Sequence, residues 1–272
     1  MTNSDRGPWA REIAVATGSG VRWTLGPMTL SVFRTGDEWQ IGHEPAEVEA
    51  LDRHIAERET LLEVPQQIPS LERFVTTAED EPLALLPRAA DRAIVVRPRM
   101  PLHVLPGQTT RVFVSAPVWV EINVGRPQRR LRQLPIKRLS DTWFGPSTLD
   151  GELAYALKTQ ARSRLEEMPR AGHRAITPIV IRNDAPDELL FDRISLPVPY
   201  LSIFATPEGH LWTETVTLAR EESSEMAALD VQSGAPREAA GAERLNGPRR
   251  SAESSVLVRA FNSLLRPFGQ ED

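Results

Sequence analysis

Hydrophobic positions recur mostly at intervals of two along this chain, in short runs separated by turn residues. The first four runs are Glu12–Ala16, Val21–Leu25, Met28–Arg34 and Asp37–Gly42, each bounded by glycine, proline or polar residues. Turn signals at such short, regular spacing are typical of consecutive antiparallel strands. The pattern therefore predicts a β-meander at the N-terminal end.

The middle of the chain, over residues 71–218, has the same character. Val, Ile and aromatic residues dominate runs such as Thr109–Ser115 and Val118–Val124, in which apolar and polar positions alternate or nearly so. Leu201–Ala205 and Leu211–Leu218 are predicted to pair as a hairpin, with Gly209 supplying a positive φ in the turn. Frequent prolines keep such strands short or at sheet edges. We therefore expect a mainly β protein, built as an antiparallel β-sandwich or a barrel-like architecture.

Two segments depart from this period. Between Pro45 and Leu62 the apolar residues recur at helical spacing, which predicts one mid-chain helix. Near the C-terminus an apolar stripe with a polar opposite side predicts an amphipathic helix over residues 248–272. The stripe consists of Val256, Leu257, Ala260, Phe261, Leu264, Leu265 and Phe268.

These patterns predict an all-β domain over residues 1–220, or two packed β-subdomains with a break near 65–90. A polar linker is expected over 221–247, ahead of the C-terminal helix. The stripe of that helix suits docking back on the β domain, pairing with a protein partner or a second copy, or lying on a membrane. For a partner, the docking residues are Val256, Phe261, Leu264, Leu265 and Phe268.

Composition narrows the chemistry. The 272 residues include no cysteine, which excludes disulfides, thiolate nucleophiles, iron–sulfur clusters and Cys-ligated zinc. No apolar run approaches the ~18–20 residues that span a bilayer. The N-terminal residues have no apolar core of the kind found in signal peptides, so we expect a cytoplasmic protein without a transmembrane segment.

The formal net charge of −5 conceals two blocks of opposite sign. Between Asp37 and Glu81 there are 13 acidic residues and 3 basic ones, whereas between Arg88 and Arg138 there are 11 basic residues and 2 acidic ones. Either the blocks pair with each other, or Arg97 and Arg99, on one face of an extended segment, belong to an anion-binding surface. The other members of that surface would be Arg126, Arg129, Arg130, Arg132, Lys137 and Arg138. The acidic total disfavours general nucleic-acid binding.

The segment Arg138–Thr159, RLSDTWFGPSTLDGELAYALKT, combines the most chemistry. Asp141, Asp150 and Glu152 are candidates for general acid–base catalysis or for holding a hard cation, although the EF-hand pattern is absent. Arg138, Trp143 and Lys158 are candidates for ligand binding. The alternative is that FGPS and LDGE are turns and that Glu152 begins the next strand. No cofactor or metal-ligand set is predicted.

Searches for known catalytic motifs find none. Neither a Gly-x-Ser-x-Gly elbow, a Ser-x-x-Lys pair nor a P-loop occurs, and Gly18-Ser19-Gly20 lacks the third glycine of a dinucleotide fingerprint. The five histidines are widely separated. Among them, His173, just before a predicted strand, is the candidate acid or base.

Four segments give the sequence a family resemblance: VVRPRMPLHVLPGQ (95–108), VWVEINVG (118–125), LPIKRLSDTWFGPSTLDGELAYALKT (134–159) and SLPVPYLSIF (195–204). Over residues 90–220 the chain resembles the DUF432 domain proteins, an uncharacterised prokaryotic family. The resemblance implies no activity, catalytic residue or cofactor. Proximity of such genes to mechanosensitive-channel genes implies a bacterial accessory role at the inner face of the membrane.

The sequence thus predicts a non-enzymatic, cytoplasmic binding or accessory module, with a membrane channel as the partner that the resemblance suggests. One alternative is a hydrolase acting on a sugar or phosphate compound through Asp141, Asp150 and Glu152. A second is an anion- or nucleic-acid-binding protein that uses the basic residues of 97–138.

Overall fold

The computed structural model describes residues 8–46, 58–61, 70–76, 81–221, 226–251 and 256–261. These residues form a mainly β protein of 23 strands, with three single-turn 3-10 helices at Leu165–Glu167, Val198–Tyr200 and Arg237–Ala239. None of them lies in an α-helix. The predicted β class is confirmed.

The first half of the described chain supplies twelve strands. They are β1 (Glu12–Ile13), β2 (Ser19–Leu25), β3 (Met28–Arg34), β4 (Glu38–Pro45), β5 (Arg58–Leu61), β6 (Glu72–Val75), β7 (Leu83–Arg88), β8 (Ile94–Val96), β9 (Leu102–Val104), β10 (Thr109–Pro117), β11 (Trp119–Val124) and β12 (Arg129–Pro135). A five-stranded sheet has the order β5-β2-β3-β4-β6, and a four-stranded sheet has the order β1-β7-β11-β12. The predicted meander is the β2-β3-β4 part of the first sheet.

The second half supplies eleven more strands. They are β13 (Ser140–Phe144), β14 (Glu152–Ala156), β15 (Arg174–Asn183), β16 (Leu189–Phe191), β17 (Ile194–Leu196), β18 (Ile203–Ala205), β19 (Leu211–Trp212), β20 (Val216–Arg220), β21 (Met226–Val231), β22 (Glu243–Asn246) and β23 (Val256–Arg259). The order β22-β18-β19-β15-β20-β21-β23, with β10 on the other side of β15, makes an eight-stranded sheet. A further sheet has the order β13-β14-β8-β17, and β9 pairs with β16.

The sequence pattern predicted antiparallel strands, but some neighbouring strands are parallel. The pairs β8–β14, β15–β19 and β15–β20 are parallel. Parallel neighbours need a long connection between them, and local alternation of residues carries no information about such connections. The predicted hairpin is confirmed where β18 pairs antiparallel with β19, and Gly209 has a φ of 85° in its turn.

One hydrophobic core joins these sheets. It includes Trp23 and Trp39 from the N-terminal sheet, Ile122 from β11 and Phe191 from β16, all 1% exposed or less. A smaller cluster packs Phe113 against Trp212 and neighbouring residues. The main core therefore draws on residues from both sides of the predicted break near 65–90.

The mid-chain helix is not supported. Pro45 ends strand β4 and Arg58–Leu61 form strand β5, which pairs with β2, so both ends of the predicted helical segment have strand geometry where they are described. Residues 47–57 lie outside the described residues. An apolar repeat in a short segment is compatible with both periods, and residues 58–61 have strand geometry because they pair with β2.

The C-terminal helix is also not supported. Val256–Arg259 form β23, which pairs antiparallel with β21, and Phe261 bridges to Ile194 with only 3% of its surface exposed. β-branched Val256 and Val258 favour strand geometry, and a neighbouring strand satisfies their backbone groups. Phe261, predicted as a partner-docking residue, is packed in the hydrophobic core. Leu264, Leu265 and Phe268 lie outside the described residues.

The polar stretch expected as a linker contributes to the eight-stranded sheet. Met226–Val231 pair with β20 and β23, and Glu243–Asn246 pair with β18. Between them Ala239 is 3% exposed and packs in the smaller cluster. Small residues such as alanine bury little side-chain area, so a packed segment can have the composition of a linker.

The described part of the chain contains no helix with the length and apolar character that a membrane span requires.

Candidate functional site

A cleft of about 640 Å³ opens between the N-terminal sheet and the strands β11 to β14. The start of β3 and the end of β4 form one wall, through Met28, His43 and Glu44. The other wall comes from Trp119 at the start of β11, the turn of residues 136–139 between β12 and β13, and the β13–β14 hairpin. A volume of this size is in the range of small-molecule sites, roughly 300–1,000 Å³.

Two aromatic rings stand in this cleft. Trp119 and Tyr155 have ring centroids 6.5 Å apart and an interplanar angle of 40°. The Tyr155 hydroxyl donates a hydrogen bond of 2.9 Å to Asp91. Burial and the nearby Asp91 carboxylate raise the pKa of that hydroxyl. Tyr155 therefore offers its ring to the cleft, while its hydroxyl is already engaged as a donor.

Three cations line the same cleft. The Arg92 guanidinium lies 5.4 Å from the centroid of the Tyr155 ring and 3.0 Å from the Asp141 carboxylate. Lys137 and Arg138 come from the turn between β12 and β13. Neither forms an ion pair or a side-chain hydrogen bond with the part of the chain that the structure describes.

Further positive charge lies behind Trp119. The Arg249 guanidinium is 5.3 Å from the Trp119 ring centroid and donates a hydrogen bond of 2.7 Å to Gln133. Burial, followed by the charge of Arg88, lowers the pKa of Arg249. Arg88 and Arg130 both lie near the carboxylate of Glu121, at 2.8 and 3.6 Å. One buried carboxylate therefore faces two arginines, with a third close by.

The three acidic candidates of the sequence do not converge. Asp141 on β13 is opposite Tyr155 on β14, and both line the cleft. Phe144 is opposite Glu152, and since side chains alternate along a strand, Glu152 projects from the other face of the hairpin. There it accepts a hydrogen bond of 3.1 Å from Ser195. Asp150, in the turn, pairs with Arg259 at 2.6 Å.

The remaining binding candidates also lie apart from the cleft, except for Arg138. Trp143 is 44% exposed, and its indole N–H donates to the carbonyl oxygen of Ser147 within the hairpin turn. Arg97 and Arg99 are exposed on either side of Pro98, which bridges to Ala161. Lys158 is exposed just beyond the end of β14.

His173 is a packed interior residue. It is 3% exposed, and its ring covers Gly26, where an added Cβ atom would lie 2.5 Å from Nδ1. Burial, and then the charges of Arg174 and Lys137, lower its pKa to about 4. His173, the predicted acid or base, is therefore buried and does not line the cleft.

Sequence reasoning did not single out Arg92, Trp119 or Tyr155 as site residues. They come from separate elements, and only the sheet pairing brings them together. Lys137 was named only as one of the basic residues of 97–138 in the predicted anion-binding surface. Among the described residues, no group of three or more His, Asp or Glu side chains is placed to hold a metal ion.

Comparisons with known proteins give one match. A family model described as "Protein of unknown function (DUF432)" matches residues 11–266. No curated protein and no solved structure matches the chain. The resemblance predicted from residues 90–220 is confirmed, and the match extends over nearly the whole sequence.

Proposed function

We propose that this chain, which belongs to the DUF432 family, is a non-enzymatic binding module whose ligand occupies the cleft between the N-terminal sheet and strands β11 to β14. The observation that carries the proposal is the make-up of the cleft. It brings two aromatic rings and three cations together in one concavity of about 640 Å³. Concave sites with a few convergent polar groups on apolar walls are typical of ligand binding.

The placement of the acidic side chains favours binding over hydrolysis. Of the three candidates for acid–base work, only Asp141 faces the cleft, and it is paired with Arg92. Hydrolysis through paired carboxylates needs both of them on the same bond, within roughly 5–10 Å of each other. Carboxylates on opposite faces of a hairpin do not provide this arrangement.

The partner predicted from the family resemblance, a membrane channel, remains part of the proposal, as does a cytoplasmic location. The contacts of the described chain support no particular partner surface. A docking helix would have to exclude residues 256–261, because 256–259 form a strand and Phe261 is buried. A sandwich or barrel-like arrangement of the sheets likewise remains a proposal.

A cleft-filling substitution tests this function without knowledge of the ligand. Leu139 lines the cleft and is half-buried, so Leu139→Trp places a larger side chain inside it. Leu190→Trp is the matched control, since Leu190 is 43% exposed on β16 and does not line the cleft. Both proteins are compared with wild type in thermal-shift screens of monosaccharides, nucleotides, carboxylic acids and phosphate esters.

We expect at least one of these classes to raise the melting temperature of wild type and of Leu190→Trp, because a ligand that binds only the folded state stabilises it. The shift should disappear in Leu139→Trp. A screen without any shift, or a shift that persists in Leu139→Trp, contradicts the proposal. So does turnover of p-nitrophenyl phosphate or glycosides that is lost in Asp141→Asn.

A further inference from the structure

The basic block of residues 88–138 is largely neutralised by specific pairs. Seven of its 11 basic residues lie within 4.0 Å of a carboxylate, including Arg129 on Glu81 at 3.1 Å and Arg132 on Glu72 at 3.0 Å. The last two of these pairs join the basic block to the acidic one. Four basic residues pair with no described carboxylate: Arg97, Arg99, Lys137 and Arg138.

Two of these four cations lie together in the cleft. Lys137 and Arg138 are consecutive in the turn after β12, and both line the cleft. The turn is held in place by Ile136, which is 3% exposed. Lys137 is half-buried, and its charge acts on buried His173 behind the cleft. A partly buried cation without an anionic neighbour loses part of its hydration, and nothing compensates for that loss. A bound anion would compensate for it.

The acidic groups of the cleft do not cancel this charge. Asp141 is occupied by Arg92 at 3.0 Å. Glu44, on the facing wall, lies more than 4.0 Å from either unpaired cation, as it forms no ion pair with any described residue. Arg249 behind Trp119 adds to the positive potential of that wall. The charge that faces a ligand is therefore positive.

The remaining lining sets the second property of the ligand. Met28, Ile136 and Leu139 give the cleft an apolar surface beside Trp119 and Tyr155. The cleft, at about 640 Å³, is much larger than an inorganic anion, and apolar walls gain nothing from contact with a bare ion. A ligand that fits both features has an acidic head and an apolar or aromatic body.

We infer that the cleft binds amphipathic organic anions, with a phosphate or carboxylate group held by Lys137 and Arg138 and a ring or hydrocarbon body against Trp119 and Tyr155. This inference rests on the proposed function and specifies its ligand class. Guanidinium and ammonium groups form charge-assisted hydrogen bonds with both kinds of acid, and the arginine fork matches either in a bidentate manner.

Four probes that share parts of one structure test the inference by isothermal titration calorimetry: 1-naphthyl phosphate, 1-naphthoate, the neutral 1-naphthol and inorganic phosphate. We expect one or both naphthyl anions to bind at least about tenfold more tightly than 1-naphthol, since a charge-assisted hydrogen bond contributes more than tenfold in affinity. Inorganic phosphate should bind more weakly than the preferred naphthyl anion. Comparison of the phosphate with the carboxylate identifies the acid.

A double substitution isolates the two cations. Lys137→Ala/Arg138→Ala should weaken binding of the preferred naphthyl anion by about 10- to 100-fold and leave 1-naphthol unchanged. Arg97→Ala/Arg99→Ala is the matched control, because it removes the same charge from two exposed, unpaired arginines outside the cleft. It should retain wild-type affinity. Circular dichroism at working temperature verifies that both variants are folded.

The outcomes separate the two proposals. If 1-naphthol binds as tightly as the anions and Leu139→Trp abolishes its binding, the cleft is a ligand site but the anion inference is wrong. Equal losses in the two double variants also overturn the inference, since they indicate a general effect of charge. Absence of binding by all four probes overturns it as well, while the wider screen with Leu139→Trp still decides the proposed function.

Discussion

The burial of the His173 imidazole predicts how the free energy of unfolding depends on pH. Its pKa is lowered from 6.5 to about 4, mainly by burial and then by the positive charges of Arg174 and Lys137. All three causes disfavour the protonated ring. The ring also lies against Gly26 and is 3% exposed.

The sign follows from which state binds the proton. In the unfolded chain His173 titrates near 6.5, so at pH 5 it is mostly protonated, whereas in the folded protein it remains mostly neutral until about pH 4. The contribution of neutral His173 to the free energy of unfolding is therefore fully present above pH 6.5. It is lost as the pH is lowered from 6.5 to 4. A difference of this size is worth about 3 kcal/mol in total, of which about 2 kcal/mol is lost between pH 7 and pH 5.

His173→Gln isolates this contribution, because glutamine is neutral at both pH values and every other titrating group is retained. Urea unfolding of both proteins, followed by tryptophan fluorescence at pH 7 and pH 5, gives four free energies. The wild type should lose about 2 kcal/mol more than His173→Gln between the two pH values. The cost of the substitution itself cancels in this double difference.

A double difference smaller than about 0.5 kcal/mol, which is near the uncertainty of linear extrapolation, would refute the argument. An NMR titration of the His173 ring in the folded protein provides an independent measurement. A pKa near 6.5 there would show that the ring is hydrated, contrary to its 3% exposure.

Two further substitutions test the packing. Gly26→Ala should destabilise the protein by more than about 2 kcal/mol, because the new Cβ overlaps the His173 ring and φ at position 26 is +56°. Gly36→Ala is the control, since no atom lies within 4 Å of the added Cβ. Equal losses of unfolding free energy in chemical denaturation would contradict the reasoning. Phe261→Ala should cost about 3–5 kcal/mol if the C-terminal strand closes the core, since Phe261 is 3% exposed, and a loss below about 1 kcal/mol would show that this segment does not contribute to the core.

Local signals were enough to predict the strands that pair with their sequence neighbours. The turns at Gly18 and Gly26, with φ of 81° and 56°, fix β2 and β3, and the run from Met28 to Arg34 has the strand bounds that the pattern predicts. Such pairs are specified by the turn and by alternation together. The strand at the C-terminal end of the described chain was not predicted. Val256–Arg259 has an apolar pattern that suits either period, and only pairing with β21 makes it a strand.

The acidic candidates Asp141 and Glu152 lie on opposite faces of the hairpin for a reason of register. The turn between β13 and β14 places Phe144 opposite Glu152, and Asp141 is three residues before Phe144. An odd offset puts the two carboxylates on opposite faces of the hairpin, whereas a register shifted by one residue would put them on the same face. Sequence proximity of acidic residues therefore did not determine whether they share a site. The length of the connecting turn, GPSTLDG at 145–151, sets this register.

Ion pairs between the acidic and the basic block explain why a chain with a basic block need not bind nucleic acid. Glu81 and Glu72, from the acidic block, neutralise Arg129 and Arg132 across the fold, so the block of positive sequence charge is not a continuous positive surface. Long-range binding to a polyanion depends on such a surface, while recognition of one acidic group requires only a few unpaired cations at a fixed place. The unpaired Lys137 and Arg138 after β12 are the few cations that the inferred recognition of one acidic group requires. The net effect is a chain that is acidic overall and yet has a positively charged cleft.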